Sequence, residues 1–320
     1  YKNSYKIFRK YNIEVKMKSI KIIATGKHLP KTKIDNYYLA KKLGTTQDYI
    51  YKRTGIQTRY YSKGNNIEEL AIKSVENLIN KNSKINIKNI DMIIVATTST
   101  NMLMPGISYK IQAHFNINDC ICLDILAGCA GFVNALDIAQ SYITTNKAKM
   151  ALIVGTEILS NFIDDKDLST SILLSDGAGS IIISGTNEEK YYSSHIKSHG
   201  QEGKILTNNM NEKLHMDGKE VYKYAVTETV KNINELLNKS QTNIDEIKYI
   251  IPHQSNIKII KSISNKLKID IKKIYTNIEN TGNTFCASIP IAIDEMYEKN
   301  LLQNGDKVII LGYGGGLNTG

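Results

Sequence analysis

Proline and cysteine are scarce in this 320-residue chain, four of each, and nowhere do ~18 apolar residues follow one another. The missing apolar run excludes a helical membrane span, so the chain reads as soluble. Few prolines, with 21 glycines spread along the chain, exclude a disordered or linker-dominated polypeptide. Cys120, Cys122, Cys129 and Cys286 form no disulfide framework, which points to a reducing compartment. Cys120 and Cys122 alternate on a strand and share a face. No second Cys or His pair lies near them, so they resemble half of a zinc site on spacing only, and no metal is expected.

Positive charge and apolar residues are plentiful. At 42% hydrophobic the chain can bury a large core, and its length suggests about two domains. The net charge is +10, but the lysines alternate with Asn and Ile and form no basic stripe, so nucleic acid is not an expected partner. A diffuse positive field suits an acidic protein or an anionic cofactor. An ordinary solvated lysine-rich surface explains it as well. The opening "YKNSYKIFRKYNIEVK" is basic, holds a single Glu and lacks the apolar core of a secretory signal. We set residues 1–16 apart as an extension; a targeting remnant, an upstream linker and an ordinary tail all fit it.

Regular structure is expected from about Met17. Strand patterns fall at 19–26, 91–100, 120–126, 150–158, 179–185, 249–253, 274–278 and 307–316, several as continuous apolar runs that imply cover on both faces. Helical patterns fall between them at 67–82, 106–116, 130–146, 219–239, 256–267 and 288–301. This alternation gives an α/β fold. "IKNIDMIIVATTS" (87–99) is echoed by "IDEIKYIIPHQS" (244–255), and "MALIVGTE" by "KVIILGYGGG". A duplicated α/β unit with its seam near 185–190 follows, with halves 17–186 and 187–320.

Four stretches carry candidate chemistry. In "LDILAGCAGF" (123–132), Cys129 stands where a buried strand gives way to a helix. A helix N-terminus favours thiolate over thiol, and Gly128 and Gly131 allow a sharp turn and a close substrate. By itself this is either a nucleophile or a small buried hydrophobe. "IIPHQSN" (250–256) puts His253 just past a strand, in reach of a site or as a satisfied core histidine. "ENTGNTFCASIP" (279–290) is a polar loop around Asn283 or a plain turn and cap. "YGGGLNTG" (313–320) is a flexible turn or a row of N–H groups aimed at an oxyanion.

Taken in order, "CAGF", "PHQSN", "GNT" and "GGG", together with "RTGIQTR" (53–59), "SDGAGS" (175–180) and "MDGKEVYKYAV" (216–226), resemble the thiolase superfamily of condensing enzymes. Within it the β-ketoacyl-acyl-carrier-protein synthase III family is the nearest likeness, from about Ile20 to Gly320. The resemblance implies a duplicated five-layered αβαβα fold and a homodimer. It implies a catalytic triad of Cys129, His253 and Asn283, and an oxyanion hole from the backbone N–H groups of Cys129 and Gly315. It further implies coenzyme A or carrier contacts at Tyr49, Arg53, Gly218, Lys223, Asn256 and Lys258, and an acyl pocket touched by Met104 and Phe285. No permanently bound cofactor is implied; acyl-CoA and a malonyl thioester are substrates and acyl carrier protein is the partner. The location implied is cytoplasmic, or a plastid-type organelle if the extension is a targeting remnant.

The sequence departs from the family pattern in three places. Tyr49 stands where a Trp usually stacks on the adenine of coenzyme A, and Leu168 where its Arg partner usually stands. Phe285 and Cys286 replace small residues after Asn283-Thr284, and Leu317-Asn318-Thr319 lacks the usual Trp. These differences bear on the primer rather than on the reaction. The expected activity is the initiating condensation of fatty acid synthesis. Its alternatives are an acyltransferase or condensing enzyme of a specialised pathway, and an inactive protein that binds acyl chains or a carrier.

Overall fold

The computed structural model describes residues 19–64, 66–188, 192–209 and 212–320; the basic extension and part of the 185–190 seam lie outside them. From the N-terminal side the elements are β1 (Ser19–His28), β2 (Thr32–Asp35), α1 (Asn36–Leu43), α2 (Gln47–Thr54), β3 (Thr58–Tyr61), α3 (Ile67–Lys81), β4 (Met92–Ala96) and α4 (Ile107–His114). They continue with β5 (Ile121–Ile125), α5 (Gly131–Thr144), β6 (Met150–Glu157), α6 (Leu168–Ser171) and β7 (Gly177–Thr186). Next come β8 (Lys197–Ser198), β9 (Leu206–Thr207), β10 (His215–Met216), α7 (Gly218–Ser240), β11 (Ile247–Pro252) and α8 (Ile257–Leu267). The chain closes with α9 (Ile278–Thr281), α10 (Ser288–Glu298), β12 (Lys307–Leu311), β13 (Tyr313–Gly314) and β14 (Asn318–Thr319).

One sheet has the order β1-β7-β6-β4-β5, with β4, β5 and β6 pairing in parallel and β7 running antiparallel to both of its neighbours, β6 and β1. Its strands read as apolar runs because both faces are covered. Ile93 and Val95 of β4 pack against α3 and α4, while Met92 and Ile94 pack against α5 and α10. A second, smaller sheet pairs β11 with β12 in parallel. Ile251 of β11 faces α5 and α10, and Ile250, Ile309 and Leu311 face α7 and α8. The layers are therefore α3/α4, sheet, α5/α10, sheet, α7/α8: a five-layered αβαβα α/β fold.

Three expectations need correction. The strand expected at 274–278 is a single bridge from Ile274 to Ile250, after which α9 begins. The one expected over 91–100 stops at Ala96, because the next residues turn to serve a buried carboxylate: Thr98 N and Ser99 Oγ both donate to Glu157. The run 307–316 breaks at Gly312, where a β-carbon would lie 2.9 Å from Ala130 Cα. Helices α1 and α2 gave no apolar period; Asp35 and Thr46 start them by accepting from Tyr38 N and Tyr49 N, and Gly44 and Gly55 end them in left-handed conformations.

Candidate active site

Both sheets point the C-terminal ends of their parallel strands at one place. Strand β5 ends at Ile125, and a short 3₁₀ turn, Gly128–Ala130, then carries Cys129 to the N-terminus of α5. Gly128 adopts φ +55°, a conformation that side chains disfavour, and any β-carbon there would run into the Gly315 carbonyl. His253 directly follows β11, and its N–H donates to Leu311 O at 2.7 Å, the last residue of β12. Asn283 follows α9 and Gly282, in a loop whose Phe285 also has positive φ, +45°. Its Oδ1 accepts from Phe285 N at 3.0 Å and its Nδ2 donates to Ser255 O at 3.3 Å, so the carboxamide is held from both ends.

Cys129, His253 and Asn283 line one cavity of about 660 Å³. All three are nearly buried. Phe285, Tyr313 and Gly314 complete the surroundings of the sulfur, and Leu173, Leu174, Leu206, Leu214 and Met216 form apolar walls. Phe285 therefore narrows the cavity instead of turning away from it. Toward the surface the lining becomes Tyr49, Arg53, Leu168, Gly218, Lys219, Tyr222, Asn256 and Lys258, an aromatic and cationic mouth on an apolar interior.

The electrostatics differ from the sequence reading in one respect. Cys129 does sit at the start of α5, but burial, assisted by the Glu157 carboxylate, pushes its thiol up to about 12, against the N–H groups of Gly315 and of Cys129 itself, which favour the thiolate. The resting residue is a thiol. Burial likewise drives His253 down to about 3, with a hydrogen bond to the Phe285 backbone working the other way, so the imidazole is neutral at physiological pH. Its Nδ1 lies 2.7 Å from Ser288 Oγ, and the Tyr313 ring meets it edge-on at 5.3 Å.

Not every expected contact joins the cavity. Met104 is 86% exposed in the loop between β4 and α4 and does not line it. Asp124 of β5 accepts from Ser108 N and Ile107 N, which fastens that loop beside the sheet edge. Lys223 also lies outside, exposed and 3.8 Å from Glu220; it occupies the outward face of α7. Asn256 is at the mouth, but its Oδ1 accepts from Lys258 N to cap α8 and its Nδ2 donates to Arg53 O at 3.3 Å. Gly315 does not line the cavity, but its backbone N–H lies close enough to Cys129 to favour the thiolate.

Two motifs of the resemblance are architectural. Buried Arg59 of "RTGIQTR" donates to Ile172 O and to Asn36 Oδ1. Buried Asp176 of "SDGAGS" accepts from Ser62 N, Ser160 N and Ser160 Oγ. Sequence reasoning missed Ser288 and Tyr313 beside the histidine, and the buried Glu157 near the cysteine. Tyr313 adjoins the triple glycine and could have been suspected; the other two carry no local signal.

The comparisons with known proteins agree with this architecture. Residues 123–200 match the family described as 3-oxoacyl-[acyl-carrier-protein (ACP)] synthase III, and residues 237–320 match its C-terminal region. A β-ketoacyl-[acyl-carrier-protein] synthase III of Clostridium novyi is 39% identical over 319 residues, spanning 95% of this chain and 98% of the relative. One from Clostridium acetobutylicum is 38% identical over 318 residues, with the same coverage of 95% and 98%. The crystal structure of 3-oxoacyl-[acyl-carrier-protein] synthase III from Aquifex aeolicus superposes with a TM-score of 0.90 at 33% identity, covering 94% of this chain and 97% of that one. With an αβαβα fold, matches to both regions and relatives aligned over nearly their full length, this chain belongs to the β-ketoacyl-acyl-carrier-protein synthase III family.

Proposed function

We propose that this enzyme performs the initiating condensation of fatty acid synthesis, joining a short acyl thioester to malonyl-acyl carrier protein through an acyl-Cys129 intermediate. The observation that carries the reading is the convergence of Cys129, His253 and Asn283, from three separate loops, on one apolar cavity with a cationic mouth. On this reading residues 17–186 supply the nucleophile and 187–320 the other two groups.

Cys129 Sγ attacks the acyl carbonyl carbon, and the bond from that carbon to the carrier sulfur breaks; the proton lost by Cys129 leaves with the carrier thiol. In the malonyl thioester the bond to the carboxylate breaks, carbon dioxide departs, and the electron pair remains as an enolate. A neutral His253 N–H and the Asn283 Nδ2 donate to the enolate oxygen. The carbanion then attacks the acyl-cysteine carbonyl. The tetrahedral oxyanion accepts from the N–H groups of Cys129 and Gly315, and its collapse expels Cys129 thiolate, which regains a proton, leaving a 3-oxoacyl thioester. One such donor is worth ~2.7–4 kcal/mol of barrier.

Acyl-CoA and the carrier protein enter as substrate and partner, with no resident cofactor. Arg53, Lys219 and Lys258 at the mouth suit their phosphates and acidic surfaces, and Tyr49 offers a stacking face. Lys223 has no part in this rim. A homodimer is proposed through β5, the edge of the large sheet. Leu103 and Leu126, each 73% exposed, and Met104 lie on the loops beside it and would be covered there. Among the described residues no helix is long and apolar enough to cross a membrane, and the reaction is assigned to the cytoplasm.

The test is to mix the protein with acetyl-CoA, then with malonyl carrier protein, reading adducts and products by mass spectrometry. An acyl-Cys129 adduct followed by carbon dioxide and a 3-oxoacyl carrier is expected. An adduct that transfers without loss of carbon dioxide would indicate a specialised acyltransferase, and no adduct with any thioester an inactive binder. Sedimentation at micromolar concentration tests the dimer.

A further inference from the structure

We infer that Ser288, the first residue of α10, is a positioning residue that fixes the tautomer of His253, holding the single ring proton on Nε2. This deepens the proposed function, since it rests on His253 acting as a donor to the enolate.

The argument is one of hydrogen-bond supply. Ser288 and His253 are each 2% exposed, so water does not decide their partners. Ser288 Oγ accepts from Gln254 N at 3.2 Å, and a backbone N–H can only donate. The hydroxyl still has one proton to place. Among the described residues the acceptor it meets is His253 Nδ1, at 2.7 Å. The carbonyl one helical turn back, that of Thr284, accepts from Ala287 N and receives no hydrogen bond from Ser288 Oγ. If Nδ1 carried the proton instead, Ser288 Oγ would accept twice and its own O–H would be a buried donor without a partner, which is costly. With O–H donating to Nδ1, the neutral ring must carry its proton on Nε2.

The competing acceptor for a ring proton is the Phe285 carbonyl, which favours the charged ring. That oxygen already accepts from Ser288 N. The same serine touches both groups: its N–H donates to the Phe285 carbonyl, which reduces that oxygen's pull on a ring proton, and its O–H meets the ring at Nδ1. Tyr313 also packs on the ring, the two ring centres 5.3 Å apart in an edge-on arrangement, and its O–H donates to His253 O at 3.2 Å. The chemical consequence is a matter of sign. A proton on Nε2 meets an enolate oxygen as a donor, whereas the other tautomer would present a lone pair to it.

The test uses the full-length protein labelled with ¹⁵N-histidine, the signal of His253 among the six histidines being assigned by its loss in His253→Gln. The parent should show a bare Nδ1 and a protonated Nε2. Ser288→Ala should shift the ring toward Nδ1–H and lower malonyl decarboxylation about ten- to hundredfold, part of the ~10²–10³-fold that a fully lost oxyanion donor costs. Acylation of Cys129 should stay within about twofold of the parent, because the ring is not asked to donate in that step. Ser288→Thr, which keeps the hydroxyl, should restore most of the decarboxylation. A parent ring protonated on Nδ1, or a folded Ser288→Ala enzyme that decarboxylates at the parent rate, would overturn the inference. Should Ser288→Ala fail to fold, the parent spectrum and the Thr variant still decide it. A parent that never condenses would count against the proposed function, while the ring shifts would still report the tautomer.

Discussion

A β-carbon added to Gly314 would lie 2.6 Å from Cys129 Cβ and 2.8 Å from its Sγ. The chain of the triple glycine is thus laid directly against the nucleophile, and the backbone N–H of the next residue, Gly315, acts on the Cys129 thiol in favour of its thiolate. Gly314→Ala should push this segment away. Overpacking of this kind costs about 1–3 kcal/mol of stability, and a displaced oxyanion donor slows acylation about 10²–10³-fold. Parent-like burst kinetics with acetyl-CoA in a folded Gly314→Ala protein would contradict that role for the glycine.

Cys129→Ala should abolish the acyl adduct and leave the fold intact. Removing the sulfur only enlarges a cavity that Cys129 already lines, and Ala130 and Gly131 beside it keep the turn into α5 unchanged. Intact-protein mass spectrometry with acetyl-CoA checks the first part and thermal melting the second. A thioester-linked adduct surviving in Cys129→Ala would remove Cys129 from the mechanism.

His253→Ala and Asn283→Ala should separate the half-reactions. Each removes one donor to the enolate, so decarboxylation of malonyl carrier protein should fall by about 10²-fold or more, with Cys129 still acylated to some degree. Single-turnover assays of each step read the two effects apart. Equal loss in both steps would mean the residue acts on the nucleophile instead.

The buried histidine also makes stability depend on acid. Its ordinary value of 6.5 falls to about 3 on folding. Below pH 6.5 the unfolded chain gains a proton that the native chain refuses, so stability is lost as pH falls toward 3, by at most ~1.4 kcal/mol per pH unit for this one proton. His253→Gln should therefore show a shallower acid limb in denaturant titrations at pH 6.5 to 4. The raised Cys129 thiol has its own signature: iodoacetamide should modify it slowly at pH 7.5 and progressively faster above pH 9. A fast, pH-independent reaction at neutral pH would mean the thiolate is the resting form.

Tyr49 and Leu168 both reach the mouth of the cavity. Family members usually place an arginine at the latter position, so Leu168→Arg should tighten apparent affinity for acetyl-CoA severalfold to about thirtyfold, a stacking or cation–π gain of ~0.5–2 kcal/mol. Acylation from an acyl carrier protein, which has no adenine, should not change. Unaltered affinity for acetyl-CoA in the variant would mean that residue 168 is not beside the adenine.

Local pattern sufficed for the elements sealed on both faces. "MIIVA" and "MALIVG" can be little else than buried strands, and α3 and α8 keep an apolar stripe at helical spacing. The duplicated, five-layered arrangement, and the nomination of Cys129, His253 and Asn283, were available from motif order before any coordinates. Segments whose structure depends on a distant partner were not legible in this way. Thr97 to Ser99 continue a strand in sequence terms and leave it in space, because the buried Glu157, some sixty residues on, takes their hydrogen bonds. Helices α1 and α2 are only eight residues each and bury few apolar side chains, Leu39 and Ala40 in one and Ile50 in the other, so no period is long enough to read and only their caps mark them. Met104 reads as one more apolar residue near the site, and the loop tied to Asp124 carries it out to the surface. The protonation of the site belongs wholly to the tertiary structure. A cysteine at a helix start reads as a thiolate, and a histidine has an ordinary value near neutrality; closing two sheets around them removes water, leaving a thiol at about 12 and a neutral imidazole at about 3. Sequence determines which residues are present and in what order, but desolvation and the pairing of Ser288 with His253 exist only once segments far apart in the chain are brought into contact.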